Sequence, residues 1–205
     1  MEPTVREPRA RGWRAFVGAV VLRLCSWRVV GVLPNAKKYI LIVAPHTTNM
    51  DFVIGLSAIW KLRLRVKLLL KHTLFAGPLG WWFRRIGGIP VNRQSKHNLV
   101  DQIATAFDQE EHFILALAPE GSRAHSKHWR SGFFHIALAA KVPVVCVGFD
   151  CFRRRVSIGD PVYPTGNAKV DMDSIRMVFE AWEIGPHPRF GPIRLRDEVP
   201  KSEMA

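Results

Sequence analysis

Acidic residues and cysteines are both scarce in this sequence. Its 205 residues contain 17 Asp and Glu against 30 Lys and Arg, which gives a formal net charge of +13. Such an excess of cations is typical of proteins that bind polyanions: nucleic acid, an anionic membrane surface or an acidic protein. The 3 cysteines are too few, and odd in number, for a disulfide framework. We therefore expect the chain to work in a reducing compartment.

Long uncharged apolar runs are also missing. No stretch reaches the roughly 18 to 20 apolar residues that a membrane-spanning helix requires. Residues 15–22 are apolar, but Arg14 and Arg23 bound them and Arg28 follows soon after. The N-terminus also lacks a small-residue cleavage signal, which argues against a secretory peptide. Residues 1–12 are rich in Pro and Arg, and we expect them to be disordered.

Apolar residues recur at helical spacing from Trp13 to about residue 30. Basic side chains beside Trp and Phe on such a helix are typical of a helix that lies in a membrane interface. The pattern leaves open a helix that packs on the core of the protein. Trp81-Trp82-Phe83, followed by Arg84 and Arg85, has the same two interpretations, core packing or an aromatic belt at headgroup level.

Apolar β-rich runs alternate with helical patterns along the rest of the chain. The runs predict strands at 39–43, 65–71, 113–118, 142–149 and 155–158, with a turn at Gly159-Asp160-Pro161. Helical periodicity predicts helices at 51–61, 99–107, 132–140 and 175–182. This alternation predicts an α/β fold in which helices cover both faces of a largely parallel central sheet. By length, residues 13–205 form a single domain.

A predicted strand and a predicted helix meet at Ala44-Pro45-His46-Thr47-Thr48-Asn49-Met50-Asp51. Such junctions in α/β sheets hold side chains between rigid elements. If Asp51 accepts the proton of one ring nitrogen of His46, the other nitrogen acts as a base toward a hydroxyl. The alternative is an Asp that caps the helix and a His whose hydrogen bonds are satisfied within the fold.

Three further blocks follow at characteristic separations. They are Gly87-Gly88-Ile89-Pro90-Val91-Asn92-Arg93, Leu117-Ala118-Pro119-Glu120-Gly121-Ser122-Arg123 and Val142-Pro143-Val144-Val145-Cys146-Val147. Together with His46 and Asp51, these blocks resemble those of the glycerolipid acyltransferases, the family of 1-acylglycerol-3-phosphate acyltransferases with its His-x4-Asp signature. The resemblance covers roughly residues 39–150.

The resemblance implies a membrane-associated O-acyltransferase. Such an enzyme transfers a fatty acyl group from acyl-CoA or acyl carrier protein directly to the hydroxyl of a lysophospholipid such as 1-acylglycerol-3-phosphate, and it needs no cofactor besides the acyl donor. His46 and Asp51 would be the catalytic residues, base and orienter. The substrate-binding residues would be Arg93 and Arg123 for the acceptor phosphate, Glu120 for the glycerol end, and Gly121 and Ser122 of the same block.

The expected partners follow from this activity. They are anionic membrane lipids, the lysophospholipid acceptor and the acidic acyl carrier protein, with the enzyme peripheral or monotopic on the cytoplasmic face of a membrane. A lyso-ornithine lipid as acceptor, or transacylation between phospholipids, would use the same residues. A basic nucleic-acid-binding protein is the alternative from another class. The basic residues are dispersed and form no nucleic-acid-binding motif, so no nucleic-acid partner is expected.

The 8 histidines raise the question of a metal site. His125 and His128 are three residues apart, but neither the Glu of a zincin nor a cysteine cluster accompanies them. We therefore expect no metal.

Overall fold

The computed structural model describes residues 12–91, 99–121, 125–184 and 190–198. Residues 1–11, most of the segment predicted to be disordered, lie outside these ranges. The helices are α1 (Trp13–Leu24), α2 (Asn49–Lys61), α3 (Gly80–Arg85), α4 (Leu99–Gln109), α5 (Gly132–Ala140) and α6 (Ala168–Glu180), with 3-10 turns at His72–Phe75 and Arg196–Glu198. The strands are β1 (Arg28–Gly31), β2 (Lys38–Ala44), β3 (Val66–Lys71), β4 (Gly88–Val91), β5 (Phe113–Leu117), β6 (Val144–Asp150) and β7 (Arg155–Val162).

The strands form one sheet in the order β1-β7-β6-β2-β5-β3-β4. Strands β2 to β6 run parallel, whereas β7 is antiparallel to β6 and pairs with β1 in parallel. The predicted α/β fold with a largely parallel sheet is therefore confirmed. Because β2, β3, β5 and β6 point the same way, the residues that follow them collect at one edge of the sheet.

The central strand β2 contributes to two apolar cores, one on each face of the sheet. Ile40 and Ile42 pack with α4, α5 and α6, whereas Tyr39 and Leu41 pack with α1 and α2. Successive side chains of a strand point to opposite faces, so a strand covered on both sides is apolar throughout. The helices therefore cover both faces, as predicted.

The N-terminal helix α1 packs closely on α2. A Cβ atom on Gly18 would lie 2.4 Å from the backbone oxygen of Ser57, so the two helices can approach this closely only without a side chain there. The aromatic residues Trp13 and Phe16 point outward instead, and both are about two-thirds exposed (68% and 67%). The helix ends at Leu24 rather than near residue 30, because the next residues form the edge strand β1.

The predicted turn at Gly159-Asp160-Pro161 is wrong, since β7 continues through these residues to Val162. Pro161 lies opposite Val145 of β6, next to a bulge between Val145 and Val147. On its other side β7 is covered by β1 only as far as Ile158, so Pro161 lies where β7 is an edge strand. Proline is tolerated at such positions because no partner needs its missing N–H.

Candidate active site

His46 lies just beyond the carboxyl end of the central strand. Strand β2 ends at Ala44, and the Ala44–Pro45 peptide bond is cis. Helix α2 then begins at Asn49 with Thr48 as its N-cap. A short loop between a buried strand and a helix therefore carries the histidine, whose side chain is 22% exposed.

Asp51 occupies the third position of α2, where it completes a capping box with Thr48. Its Oδ2 accepts the backbone N–H groups of Thr47 and Thr48 at 2.6 and 2.7 Å, and its Oδ1 accepts the Thr48 hydroxyl at 2.7 Å. These hydrogen bonds satisfy N–H groups at the helix N-terminus and hold the carboxylate in one orientation. The alternative that Asp51 caps the helix is thus correct, and this cap also fixes the carboxylate.

The same carboxylate faces the imidazole. The Nδ1 atom of His46 lies 3.7 Å from Oδ2 of Asp51, close enough for an ion pair but longer than a hydrogen bond. The structure therefore brings the two predicted catalytic residues together. An Asp on the Nδ1 side stabilises the charge that the ring gains when Nε2 accepts a proton, which makes Nε2 the nitrogen suited to act as base.

Glu120 reaches the same loop from the neighbouring strand. Strand β5 pairs with β2 so that Leu117 lies opposite Ile42, and the turn after β5 therefore lies next to the loop that follows β2. Oε2 of Glu120 accepts the backbone N–H of His46 at 3.0 Å, and only 4% of the residue is exposed. Its Oε1 is buried and has no hydrogen-bond partner among the described residues.

Burial raises the pKa of Glu120 from its ordinary value of 4.5 to about 7. The negative charge of Asp51 adds to this effect, and the hydrogen bond from the His46 N–H opposes it. A buried carboxyl group near another carboxylate favours its neutral form. Glu120 thus holds the His46 backbone from inside the protein and changes protonation near neutral pH.

Of the other predicted substrate-binding residues, only Gly121 belongs to the described part of the chain. Gly121 follows Glu120 with φ +71°, in the left-handed region that favours glycine. A Cβ atom on Gly121 would lie 2.2 Å from Nε of Arg130, so the arginine side chain lies directly over this glycine. Arg93, Ser122 and Arg123 lie outside the described residues.

A large cavity of about 1580 Å³ opens next to His46 and Asp51. Its apolar walls come mainly from α2 and the sheet, among them Leu41, Ile59, Leu62, Leu68, Val147 and Phe149. Sites for small ligands typically have volumes of about 300 to 1,000 Å³ and mostly apolar walls with a few polar groups. The cavity is larger than that and has the same character, which suits a long apolar ligand.

Several basic residues also line this cavity, and the sequence did not identify them as site residues. They are Lys71, Lys127, Arg130 and Arg196. Lys71 ends β3, so its position at the carboxyl end of a predicted strand was a usable signal. Arg196 is distant from every block in the sequence, and only tertiary structure reveals its place.

Among the described residues, no group of three or more His, Cys, Asp or Glu side chains is arranged to hold a metal ion. Over the same part of the chain, no helix has both the length and the apolarity needed to cross a membrane.

Comparison with solved structures shows a similar fold in a known acyltransferase. The chain is similar to the crystal structure of the 1-acyl-sn-glycerophosphate (LPA) acyltransferase PlsC from Thermotoga maritima, with a TM-score of 0.60 and 18% sequence identity over 83% of this chain and 77% of that one. At this identity the similarity shows that the two proteins share a fold.

Sequence comparison finds relatives as well. The chain is 27% identical over 128 residues to a 1-acyl-sn-glycerol-3-phosphate acyltransferase of Saccharomyces cerevisiae. That match covers 58% of this chain and 41% of the yeast protein, so it spans about two fifths of the length of that relative.

The sequence model of the family described as Acyltransferase matches residues 28–150. This range contains His46, Asp51, Glu120 and Gly121, together with six of the seven strands, β1 to β6. The predicted relationship is therefore confirmed, and the chain belongs to the acyltransferase family.

Proposed function

We propose that the protein is a membrane-associated O-acyltransferase. It transfers a fatty acyl group from a thioester donor, acyl-CoA or acyl carrier protein, to the hydroxyl of a lysophospholipid such as 1-acylglycerol-3-phosphate. The observation that carries this proposal is the His46–Asp51 pair beside a large apolar cavity. A base next to a space for an apolar chain is the arrangement that acylation of a lipid hydroxyl requires.

In the proposed reaction, Nε2 of His46 removes the proton from the acceptor hydroxyl as its oxygen attacks the thioester carbonyl. The tetrahedral intermediate then collapses, the carbon–sulfur bond breaks, and the imidazolium returns the proton to the departing thiolate. A positioned base of this kind contributes about 10² to 10⁴ in rate. Asp51 stabilises the imidazolium, because its buried carboxylate lies 3.7 Å from Nδ1.

Glu120 has a supporting role in this scheme. The resemblance implied that it contacts the glycerol end of the acceptor, but the carboxyl group is buried and bonded to the backbone of His46. It therefore sets the position of the base relative to Asp51 and the cavity. The acceptor phosphate is assigned to Arg93 and Arg123, since paired guanidinium donors match phosphate oxygens.

The apolar cavity supports a fatty acyl group as the transferred unit. It is lined by Leu41, Val147 and Phe149 of the sheet, by Ile59 of α2 and by Leu62, which follows α2. Enclosing an acyl chain there contributes roughly 0.8 kcal/mol for each methylene removed from water. A donor with a longer chain, up to the length that the cavity accommodates, should therefore bind more tightly.

Aromatic contacts on α2 support a membrane-facing surface beside the cavity. Trp13 of α1 contacts Trp60 of α2, with ring centroids 6.2 Å apart, and Trp82 of α3 contacts Phe52 of α2 at 6.4 Å. Helices α1 and α3 therefore both adjoin α2. Trp13 and Trp81 remain more than two-thirds exposed (68% and 69%), as expected of side chains that enter a bilayer interface.

Cations accompany these exposed rings. The guanidinium of Arg14 lies 5.6 Å from the ring centroid of Trp13, and that of Arg85 lies 5.6 Å from that of Trp81. Each basic residue near an anionic surface contributes about 1 kcal/mol to membrane binding. We therefore propose peripheral association with the anionic cytoplasmic face of a membrane.

A mass-spectrometric assay tests the proposed function. Purified protein is incubated with one of three acyl donors, palmitoyl-CoA, palmitoyl-acyl carrier protein or a diacyl phospholipid. Each donor is combined with a panel of acceptors: lysophosphatidate, other lysophospholipids and lyso-ornithine lipid. We expect a new diacyl lipid whose mass increases by one palmitoyl group. If lyso-ornithine lipid alone is acylated, the acceptor is wrong and the chemistry stands. If a second phospholipid donates the acyl group while both thioesters are inert, the proposed thioester donor is wrong. If no acceptor is acylated by any donor, the proposed acyltransferase function is contradicted.

A further inference from the structure

The C-terminal segment of the chain lies against the loop that follows Gly121. Trp129 and Leu195 form a parallel β-bridge, in which the N–H of Trp129 donates to the carbonyl oxygen of Arg194 at 2.7 Å. Both side chains point into the core, with exposures of 2% for Trp129 and 1% for Leu195. This bridge fixes the register between two segments that are distant in the sequence.

The next residue on each segment is an arginine. Arg130 follows Trp129 directly, and Arg196 follows Leu195 as the first residue of the 3-10 turn, so the bridge places their backbones next to each other. Both arginines are exposed, and both line the cavity that His46 and Asp51 line. Within the described part of the chain, neither guanidinium has an ion-pair partner.

Arg130 is held in place by the turn that carries Glu120. Its backbone N–H donates to the carbonyl oxygen of Pro119 at 2.8 Å, and its side chain lies over Gly121. The guanidinium group therefore projects from a fixed point next to the active-site turn.

Arg196 is held by a separate set of contacts. Arg176 of α6 donates to the carbonyl oxygen of Ile193 at 2.8 Å and pairs with Glu198 at 2.6 Å. Glu198 also accepts the N–H of Leu195 at 3.1 Å, and Arg194 donates to the carbonyl oxygen of Lys127 at 3.2 Å. Helix α6 and the loop at 125–130 thus hold the segment on both sides of the arginine.

We propose that Arg130 and Arg196 form a phosphate-binding site at the mouth of the cavity. This inference rests on the proposed function, because it assigns the pair to a phosphate group of a substrate. The bridge places the two arginines side by side, and among the described residues no carboxylate pairs with either of them, so an anion between them would remove their mutual repulsion. Guanidinium groups suit phosphate because their donors lie in one plane. Arg196 lies beyond residues 28–150, so the family blocks do not include it.

Two substrates would bring phosphate groups to this position. A lysophospholipid carries one in its headgroup, and acyl-CoA carries three phosphates on its nucleotide and pantetheine portion. The chemistry of recognition is the same, and experiment distinguishes the two sources.

The direct test is calorimetric titration at low salt. Glycerol 3-phosphate represents the acceptor and coenzyme A the donor, and each is titrated into wild type, Arg130→Gln, Arg196→Gln and the double variant. A charge-assisted hydrogen bond is worth about 10- to 150-fold in affinity. We therefore expect each single variant to raise the Kd of one of the two probes at least tenfold. Raising the salt concentration should reduce the difference.

Arg28→Gln serves as the matched control. Arg28 is also an exposed arginine, but it lies on the edge strand β1 and does not line the cavity. Its substitution should leave both dissociation constants within twofold of wild type. Circular dichroism and the unfolding midpoint of every variant confirm that it is folded, and Arg196→Gln changes only an exposed side chain.

The probe whose affinity falls in the variants identifies the substrate that supplies the phosphate. A loss confined to glycerol 3-phosphate assigns the pair to the acceptor phosphate, together with or in place of Arg93 and Arg123. A loss confined to coenzyme A assigns the pair to the donor. Unchanged affinity for both probes in a folded double variant would overturn the site. Because the titration needs no turnover, this result is distinct from a failure of the proposed acyl transfer.

Discussion

Replacing Glu120 with Gln should change how the stability of the protein depends on pH. Glu120 is buried, and its pKa of about 7 exceeds its ordinary value of 4.5. At pH values below 4.5 the carboxyl group is neutral in both the folded and the unfolded chain. As the pH rises toward 7 and beyond, the unfolded chain loses this proton first, so the folded state becomes less stable.

The size of the effect follows from the two pKa values. At about 1.4 kcal/mol for each pKa unit, a rise from 4.5 to about 7 corresponds to about 3 kcal/mol. Gln keeps an oxygen that accepts the His46 N–H and does not titrate. Its amide NH2 would occupy the position of Oε1, which lacks a hydrogen-bond partner among the described residues, so the variant has an additional cost that does not depend on pH.

Urea-induced unfolding between pH 4.5 and 8 measures this effect. We expect the free energy of unfolding of wild type, relative to Glu120→Gln, to fall by about 3 kcal/mol over this range. Glu111→Gln is the control, because Glu111 is an exposed carboxylate that pairs with Lys37 at the surface. Its curve should run nearly parallel to that of wild type. Parallel curves for wild type and Glu120→Gln would refute the buried, proton-binding role of Glu120.

Three further predictions concern the site and its supporting helices. Asp51→Asn should lower kcat more than tenfold, because the imidazolium loses the carboxylate that stabilises it, and unchanged turnover would contradict this. The same variant should lower the unfolding free energy by about 1 to 3 kcal/mol, because one amide oxygen cannot replace two carboxylate oxygens that accept three hydrogen bonds. Trp13→Ser with Phe16→Ser should weaken sedimentation with anionic vesicles by at least about a hundredfold, since each exposed ring contributes about 1.5 to 3 kcal/mol when buried. Undiminished binding of the folded variant would exclude α1 as the anchor. Gly18→Ala should destabilise the fold by about 1 to 3 kcal/mol, because the added methyl group clashes with α2. Gly132→Ala is the control, because the space around Gly132 is open. Equal unfolding midpoints for the two variants would show that α1 does not need this close approach to α2.

The sequence was informative where local chemistry decides the structure. The apolar run before His46 and the helical pattern from Asp51 predicted a strand, a turn and a helix start, because these depend on nearest neighbours. Helix α5 was predicted with its observed bounds, since its apolar pattern is bounded by glycine and a charged residue. The parallel sheet followed from the alternation of strands and helices.

What the sequence missed depends on distant parts of the chain. Pro161 was taken for a turn, although it lies in a strand whose outer side is uncovered. Glu120 also accepts the backbone N–H of His46, a contact that depends on the register between β2 and β5. The position of Arg196 beside the cavity depends on the bridge between Trp129 and Leu195, which are distant in the sequence. Contacts of this kind arise from tertiary packing, which a local pattern does not encode.

Acyl transfer by a His46→Ala variant is the most direct test of the proposed mechanism. The assay measures by mass spectrometry the acylated lipid formed from a thioester donor and the acceptor that wild type uses. His112→Ala is the control, because His112 is an exposed histidine just before β5 that does not line the cavity. We expect folded His46→Ala to form product at least 100-fold more slowly than wild type, since a positioned base contributes about 10² to 10⁴ in rate, while the control keeps its activity. Product formation by folded His46→Ala at the wild-type rate would contradict the assignment of His46 as the base.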